Sequence, residues 1–354
     1  MATQWPLWES GDAGRSTHRD CVEAGVRCPD QMARMAVPGR NNKLYLCGFA
    51  RNHDQPYIFM TCHHPVRLAL LILALAVTVL GLGILAADSP ASSTGRWRTL
   101  EPGLEMARFR PPDGSAADTV ITVLRVDPHR WDFRLFSTSQ DSGKNRSIRQ
   151  WSRDYGLTLA FNAGMYQQDY RSNVGYMQNF GHRNNAGVHP KHFSVAAFNP
   201  RRSGLAPFRI FDTEERGVKS VARDYHTVIQ NLRLVKRPGI NRWSPQEKRW
   251  SELALGQDRA GRVLVIFCRT PYSMHALNRI LLALPLDLAA AQHLEGGPEA
   301  QLYLKLGDTE LDLCGSFETG FFENDLNLTS FPVPNVIGIV PKTDSGTTGS
   351  AASP

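Results

Sequence analysis

The stretch Val263–Cys268, which reads VLVIFC, consists only of apolar residues and is rich in β-branched side chains. An apolar run of this length and composition predicts a strand that is buried on both of its faces. Ser273 follows as a typical N-cap residue and Pro285 marks a stop, so Met274–Leu284 between them predicts a helix. Its apolar side chains recur at helical spacing, which indicates one face that packs against a sheet.

Outside this unit the chain shows further strand signals separated by turns. The predicted strands are Thr119–Val126, Trp131–Ser137, Leu157–Phe161, Thr227–Ile229, Leu253–Leu255, Gln301–Leu304 and Asn335–Val340, and Ser147–Tyr155 predicts a short helix. Because strands and helices do not alternate strictly, we predict an α+β fold with a mixed β-sheet packed by helices. This would be a single globular domain behind an N-terminal transmembrane helix.

The predicted transmembrane helix is Leu68–Ala87, which contains no charged side chain. Twenty residues in a helix span about 30 Å, the thickness of the hydrocarbon core of a bilayer. Arg67 precedes the run, and a positive flank favours a cytoplasmic N-terminus with the rest of the chain translocated. We therefore expect a membrane-anchored protein whose main domain is extracytoplasmic (periplasmic or on the cell surface), or a secreted protein if the segment is cleaved.

The domain boundaries follow from these signals. Residues 1–59 are expected to be a disordered cytoplasmic tail or a mis-annotated extension, with Met60 as the natural start. Residues 60–87 form the signal anchor and residues 88–96 a small polar linker. The globular domain spans residues 97–341, and residues 342–354 form a disordered tail rich in glycine, serine and threonine.

The composition is that of a folded protein, with 42% hydrophobic and 21% charged residues in 354 positions. A net charge of +7 favours acidic partners. The basic stretch from Arg233 to Arg249 could bind nucleic acid. Export argues against that partner, so a solvated loop, or a surface for an anionic glycan or lipid, is the better interpretation. The sequence sets no oligomeric state.

Six cysteines are present, but only Cys268 and Cys314 fall in the predicted domain, and none belongs to a zinc-type array. A disulfide between these two in an oxidising compartment and two free thiols both fit the sequence. His182, His189 and His192 lie in a loop rich in glycine and asparagine. A zinc site there is one interpretation, but we predict no metal and no cofactor.

Two motifs place polar residues and glycines where apolar runs stop. Phe161–Tyr166 reads FNAGMY, and Leu294–Ala300 reads LEGGPEA. Glycines at such points let the backbone approach a ligand. Between the two motifs lies Glu252–Asp258, which reads ELALGQD. These three segments are candidates for one common site.

The order of the motifs resembles the phosphodiester glycosidase family, which includes the enzyme that uncovers mannose 6-phosphate. The resemblance covers about residues 115–341 and extends to bacterial envelope members of the family. Members carry an Asn-Gly-Gly-Tyr-Phe-like motif, then Arg-x-Ala-x-Gly, then Leu-Asp-Gly-Gly-Gly-Ser. The positions that fit are Asn162, Gly164, Tyr166, Ala254, Gly256, Leu294, Gly296 and Gly297. Glu252 and Glu295 stand where the family has arginine and aspartate.

The resemblance implies hydrolysis of a sugar-phosphate diester or a related envelope glycan. Glycosidic cleavage is usually served by two carboxylates. We predict Glu295 as the main catalytic carboxylate, acting as base or nucleophile, with Glu299 and Glu252 as candidates for the second. A turn hydrogen bond at Glu295 and a solvated strand edge at Glu252 are the structural alternatives.

The same motifs supply predicted substrate-binding groups. Asn162 is expected to donate to a sugar hydroxyl or a phosphate oxygen, or else to form a structural turn. Gly164 and Tyr166 lie beside it, although Tyr166 could serve packing alone. The backbone N–H groups of Gly296 and Gly297 could form an anion-binding nest.

Three further side chains complete the predicted site. Arg233 and Arg269 are candidate phosphate ligands, because the guanidinium fork matches phosphate geometry, or they are ordinary surface cations. His226 is either an acid–base group in the cleft or a structural histidine. The sequence thus leaves three functions open: a hydrolase of phosphodiester-linked sugar or envelope glycan, a non-catalytic glycan-binding module with the same fold, and an assembly factor tethered to the membrane.

Overall fold

A computed structural model of the chain describes residues 95–112, 119–141 and 143–343. The strands in chain order are β1 (Arg98–Glu101), β2 (Leu104–Phe109), β3 (Ile121–Val126), β4 (Trp131–Ser137), β5 (Leu159–Asn162), β6 (Met177–Asn179), β7 (His182–Asn185), β8 (Ser194–Pro200), β9 (Phe208–Asp212), β10 (Tyr225–Asn231), β11 (Arg233–Lys236), β12 (Ile240–Asn241), β13 (Trp250–Asp258), β14 (Val263–Tyr272), β15 (Leu288–Gly296), β16 (Gln301–Leu306), β17 (Thr309–Cys314) and β18 (Asn335–Pro341). The α-helices are α1 (Thr138–Asp141), α2 (Ile148–Tyr155), α3 (Val218–Asp224) and α4 (Met274–Ala283), and Gly297–Glu299 forms one 3₁₀ turn.

These strands form three sheets, and the strand pairs within them are antiparallel. The eight-stranded sheet has the order β1-β2-β3-β14-β13-β15-β11-β12. The two five-stranded sheets have the orders β7-β6-β10-β8-β9 and β17-β16-β5-β18-β4. Strand β13 therefore lies inside the largest sheet, between β14 and β15, and all nine of its residues are buried.

Alternate residues of each sheet face two different apolar layers, as the pleat of a strand requires. The inner faces of all three sheets meet in one central core, to which Leu124, Phe161 and Phe198 each contribute from a different sheet. The opposite face of each sheet is covered by one helix. Helix α4 covers the eight-stranded sheet, α3 the sheet that contains β10, and α2 the sheet that contains β5.

The predicted α+β class is confirmed. Val263–Cys268 forms the buried part of β14, and α4 begins after Ser273, whose hydroxyl accepts a hydrogen bond from the N–H of Ala276. Ser147 caps α2 in the same way, and the side chain of Gln150 completes a capping box. The other predicted strands each overlap an observed strand, whereas β15, which carries the catalytic candidate Glu295, has no counterpart among the predicted strands.

Several predictions concern residues that the structure does not describe. The anchor Leu68–Ala87, the extension before it and the tail after residue 343 lie outside the described residues. Among residues 95–112, 119–141 and 143–343, no helix is long and apolar enough to cross a membrane. Residues 95–343 belong to one compact unit.

Both cysteines of this unit are free thiols. Cys268 is buried in β14, where burial raises the pKa of its thiol to about 12. Cys314 ends β17 and is half-buried, and burial raises its pKa as well. The structure thus contains the two thiols rather than the disulfide, and neither is activated as a thiolate.

Candidate active site

The site is built around a β-bulge between β13 and β15. Leu253 lies opposite Glu295 and Ala254 opposite His293, so Leu294 is an extra residue on β15. A bulge of this kind changes the direction of the neighbouring side chains and is common beside active sites. Here it brings Glu295 of the LEGGPEA motif and Glu252 of the ELALGQD segment to adjacent positions at the end of β15.

Glu252 is fully buried and forms a hydrogen-bonded unit with two other side chains. His293 Nδ1 lies 2.8 Å from Glu252 Oε1, and Trp250 Nε1 donates to Oε2 at 2.7 Å. Burial raises the pKa of Glu252, while His293 and Trp250 act in the opposite direction. The solvated strand edge considered for Glu252 is therefore wrong, and its carboxyl group serves to fix the ring of His293.

Glu295 is 4% exposed, and its carboxyl group accepts one hydrogen bond, from the N–H of Gly296 at 3.2 Å. Its second oxygen, Oε2, is buried without a hydrogen-bond partner in the described part of the chain. Burial, followed by repulsion from Glu299, raises the pKa of Glu295 well above its ordinary value. These surroundings favour the protonated form of Glu295, which suits a proton donor better than the base or nucleophile predicted for it.

Glu299 is held by the FNAGMY segment. Asn162 Nδ2 donates to the carbonyl of Glu299 at 3.1 Å, and Asn162 Oδ1 accepts from the N–H of Gln301 at 2.7 Å. Burial raises the pKa of Glu299, and a hydrogen bond from Tyr166 lowers it in part. Tyr166 thus stabilises the charged form of Glu299. Asn162 is 1% exposed and orients the Glu299 backbone, so the substrate contact predicted for it does not fit this geometry.

A fourth carboxyl group, Glu318, reaches the cluster from the loop after β17. Its backbone forms a bridge with Trp250, which places it beside the Glu252 unit. A Cβ atom on Gly297 would lie 2.7 Å from Glu318 Oε2, so the second glycine of the LEGGPEA motif makes room for this carboxyl group. Burial and repulsion from Glu299 raise the pKa of Glu318 to about 7.

The two predicted phosphate arginines have other partners. Arg233 Nη1 lies 2.7 Å from Asp212 Oδ2 and 3.1 Å from Glu214 Oε2. Arg269 donates to the carbonyl of Cys314 at 2.7 Å and pairs with Asp325. Both guanidinium groups are engaged by the protein itself. Arg269 stabilises the loop that carries Glu318. Neither guanidinium group is therefore available to bind a phosphate at the site.

Two other predicted binding groups also lie elsewhere or are occupied. The N–H of Gly296 donates to Glu295, so it does not contribute to the predicted anion nest. His226 stacks on Phe180 with ring centroids 4.7 Å apart. Phe180 lines an open cleft of about 480 Å³ that none of the four glutamates lines. Asn231, at the other end of β10, donates to the carbonyl of Ala163 in the FNAGMY segment. Since five residues of strand span about 17 Å, His226 is remote from that segment.

The three loop histidines do not converge on one point. His182 pairs with Ser139 at 2.9 Å, whereas the tilted rings of His189 and His192 contact each other with centroids 3.9 Å apart. In the ranges that the structure describes, no group of three or more histidine, cysteine, aspartate or glutamate side chains could hold a metal ion.

Sequence reasoning missed His293 and Glu318. His293 lies two residues before Glu295, so recognition of β15 as a strand would have brought it into consideration. Glu318 lies in an irregular loop. The hydroxyl of Ser251 holds this loop at the site, because it accepts hydrogen bonds from the N–H groups of Ser316 and Phe317. No local sequence pattern indicates that long-range contact.

Together these residues form a buried carboxyl cluster, which we define as Glu252, Glu295, Glu299 and Glu318. Within it, Glu295 is strongly biased towards the protonated form, while Glu299 receives a hydrogen bond that favours its charge. Pairs of acidic groups whose environments separate their pKa values are typical of enzymes that use general acid and general base catalysis.

The carboxyl cluster is typical of enzymes that use acid and base catalysis, and the comparison of sequences agrees with this class. The sequence profile of the phosphodiester glycosidase family matches residues 155–340, more than half of the chain. The chain belongs to the phosphodiester glycosidase family, as its motif order predicted. Membership of this family supports a hydrolase-like role. No curated protein matches the chain in sequence.

Solved structures with similar folds are distant in sequence. The catalytic domain of zebrafish N-acetylglucosamine-1-phosphodiester alpha-N-acetylglucosaminidase, auto-inhibited by its pro-peptide, is 12% identical, with a TM-score of 0.48 over 70% of this chain and 86% of that one. A hypothetical protein from Synechocystis is 14% identical, with a TM-score of 0.47 over 72% and 65%. An exported protein from Burkholderia pseudomallei is 9% identical, with a TM-score of 0.40 over 63% and 74%.

Proposed function

We propose that the chain is a hydrolase that cleaves a glycosidic bond, with Glu295 as general acid and Glu299 as general base. The observation that carries this proposal is the separation of the two carboxyl groups by their surroundings. Glu295 is buried and repelled by Glu299, so its protonated form is favoured. Glu299 accepts a hydrogen bond from Tyr166, so it is the member of the pair that ionises first.

The two groups divide the reaction between them. Glu295 donates its proton to the leaving oxygen as the bond from the anomeric carbon to that oxygen breaks. Glu299 takes a proton from the water whose oxygen forms the new bond to the anomeric carbon. The reaction leaves Glu295 charged and Glu299 protonated. Transfer of one proton from Glu299 to Glu295 then restores the starting state.

The geometry favours a glycan with an alcohol leaving group over a sugar-phosphate diester. A phosphate departs as a weak base and has little need of a proton donor, whereas an alkoxide needs one. The predicted phosphate arginines, Arg233 and Arg269, are engaged by other groups. The carboxyl cluster also provides negative rather than positive charge for an incoming phosphate.

Hydrolysis of alkyl glycosides and of glycosyl phosphodiesters by the full chain tests the proposal. We expect turnover of glycosides, and a loss of at least about 100-fold in kcat/KM for Glu295→Gln and for Glu299→Gln. Glu101→Gln, at an exposed position of β1, is the matched control and should retain full activity. Glycan binding by a wild-type protein that hydrolyses neither substrate class would instead establish the non-catalytic glycan-binding module.

The same proposal includes a location. We propose that Leu68–Ala87 anchors the domain to a membrane and that the domain works on the extracytoplasmic side, where envelope glycans are found. The uncharged twenty-residue run and its positive flank support this location. The full chain should remain in the membrane fraction after alkaline carbonate extraction. Its release into the soluble fraction would contradict the anchor.

A further inference from the structure

The loop between β17 and β18 exposes two leucines close together in sequence, and we name residues 320–332 the leucine loop. Leu326 is 79% exposed and Leu328 is 83% exposed, more than the other large hydrophobic side chains in the part of the chain that the structure describes. Asn327 between them is buried, so it points into the protein while both leucines point outward. Large apolar side chains exposed side by side indicate a contact with a membrane or a partner.

Hydrogen bonds around Asn327 hold the leucines in their exposed position. Asn327 Nδ2 donates to the carbonyl of Pro298 at 3.1 Å and to that of Gly315 at 2.7 Å. Arg269 donates to the carbonyl of Asn327 at 2.9 Å and pairs with Asp325. The leucines therefore turn inward only if these bonds break. Because Pro298 belongs to the LEGGPEA motif, the leucine loop lies beside the candidate active site.

The leucine loop is attached to one end of the eight-stranded sheet, which we name the active-site end. Arg269, which holds the loop, follows Cys268 in β14, and Cys268 lies opposite Glu252 in β13. Glu252 in turn lies opposite Gly296, at the end of β15. On its other side Cys268 lies opposite the first residue of β3, which lies opposite the last residue of β2. The end of β2 therefore belongs to the active-site end as well.

The chain enters the domain at this same end. The N–H of Gly95 donates to the carbonyl of Arg108, which directly precedes the last residue of β2. Ala87, where the predicted anchor ends, precedes Gly95 by eight residues in the sequence. A chain of that length spans at most about 29 Å when fully extended. A bilayer that holds the predicted anchor is therefore within reach of the active-site end.

Arginines give the surface near this point of entry a positive charge. Arg96, Arg98 and Arg108 are exposed and line one open cavity of about 410 Å³. Glu310, which also lines the cavity, is paired with two other cations. Exposed arginines close to a membrane anchor are attracted by anionic lipid headgroups.

Arg249, the last residue of the basic stretch noted in the sequence, adds a cation beside the leucine loop. Its side chain is exposed, and its carbonyl accepts from the N–H of Thr319 at 3.0 Å. Of the two acids on the loop, Asp325 is paired with Arg269, and Glu323 accepts a backbone hydrogen bond at 2.7 Å. Apolar side chains flanked by cations are typical of surfaces that bind anionic membranes.

We propose that the leucine loop inserts Leu326 and Leu328 into the surface of an anionic bilayer, so that the active-site end of the sheet faces the membrane. The arginines contact the lipid phosphates, and the leucines reach the acyl boundary, about 5–10 Å deep. This inference rests on the proposed membrane location, since it assigns the face of the domain that meets the lipid. It is independent of the acid and base roles of Glu295 and Glu299.

Quenching by brominated lipid measures the insertion. The full chain is reconstituted in vesicles of phosphatidylcholine and phosphatidylglycerol whose acyl chains carry bromine, and in the same vesicles without bromine. Bromine quenches tryptophan at close contact, so it reports a side chain that reaches the acyl region. We expect bromine to reduce at least about twofold the emission that Leu328→Trp adds to the wild type, because this position reaches the acyl boundary.

Ile240→Trp is the matched control. Ile240 is 43% exposed and lies in β12. The neighbouring Gly239 approaches the carbonyl of Leu288 at the start of β15, which is the opposite end of that strand from Gly296. Bromine should leave the emission added by Ile240→Trp unchanged. Since both positions are exposed, both variants should fold, which urea denaturation checks.

Lipid composition tests the role of charge. In vesicles of phosphatidylcholine alone, quenching of Leu328→Trp should fall at least about twofold, because the arginines lose their anionic partner. Arg108→Gln combined with Arg249→Gln should lower the quenching in the mixed vesicles in the same way. Arg183→Gln, at an exposed position of β7 in another sheet, should leave it unchanged. Equal quenching in the two lipid compositions would overturn the anionic surface.

The remaining outcomes separate the occupants and the proposals. Equal quenching of Leu328→Trp and Ile240→Trp, or none in a chain that stays in the membrane fraction, would overturn the inserted loop and leave the anchor standing. Emission of Leu328→Trp that changes with protein density and not with bromine would overturn it in favour of contact between copies. Release of the chain by alkaline carbonate, with quenching by added vesicles retained, would sink the anchor alone.

Discussion

At the scale of single residues, the two glycines of the LEGGPEA motif are explained by what lies next to them. A side chain at Gly296 would collide with the ring of Trp250, and one at Gly297 with the carboxyl group of Glu318. Gly297 also has a φ of +60°, which other residues adopt only with strain. The absence of these two side chains admits an aromatic ring and an acid to the site.

Gly297→Ala should therefore impair hydrolysis much more than it impairs stability. The expected loss in kcat/KM is at least about tenfold, because Glu318 is displaced, while the positive φ costs about 1–2 kcal/mol of folding free energy. Gly307→Ala is the matched control, since Gly307 has a φ of +53° and open space where its Cβ would lie. Equal activity losses in the two variants would show that backbone strain, and not Glu318, is responsible.

The sequence predicted the candidate carboxyl groups better than their roles. Glu295 and Glu299 were recognisable from the motif, but the proton balance between them depends on burial and on Tyr166, which lies far away in the chain. Arg233 and Arg269 matched phosphate chemistry by residue type alone. Their acidic and carbonyl partners come from the ends of β9 and β17, and no local pattern indicates such pairs.

At the scale of elements, local signals specified the helices well and the long sheet incompletely. Ser273 occupies the N-cap position predicted for it, and the helix predicted from Ser147 begins there with Ser147 as its N-cap, because capping depends on neighbouring residues only. Strand β15 went unpredicted because it begins with Leu-Ala-Ala-Ala, and alanine favours helices over strands. Its pairing with β13 and β11 overrides that local preference.

Removal of the α2 cap should be measurable in the stability of the domain. Ser147→Ala removes the hydroxyl that accepts from the N–H of Gln150, and α2 alone covers its sheet, so we expect a loss of about 1 kcal/mol in the free energy of unfolding. Urea denaturation of the purified chain measures this value. Ser203→Ala, in an exposed turn, should change it by less than about 0.5 kcal/mol. A cap variant as stable as this control would contradict the account of α2.

At the scale of the whole molecule, burial of four glutamates next to the central core makes stability depend on pH. A carboxyl group whose pKa is raised on folding binds its proton more tightly in the folded state. Its stabilising contribution is present below the pKa of the unfolded chain, near 4.5, and is lost as the pH rises through the folded value, which is about 7 for Glu318. The domain should therefore be less stable at pH 8 than at pH 5.

Glu318→Gln should remove part of this dependence. Since the shift corresponds to at most about 3 kcal/mol, the variant should gain up to that amount relative to wild type on going from pH 5 to pH 8. Glu299, His293 and Lys248 face Glu318 and remain in place, so the residual slope reports on them. Urea denaturation at the two pH values checks the prediction, with Glu101→Gln as control. A slope identical to wild type would rule out Glu318 as a titrating group.

The central claim is that Glu295 holds its proton more tightly than Glu299, so that the first serves as acid and the second as base. NMR titration of the full chain with ¹³C-labelled glutamate side chains tests it most directly, with the two carboxyl signals assigned from Glu295→Gln and Glu299→Gln. We predict that the Glu295 signal titrates well above 4.5 and that Glu299 ionises at lower pH than Glu295. Titration of Glu295 near 4.5, or ionisation of Glu295 before Glu299, would contradict the assignment of acid and base.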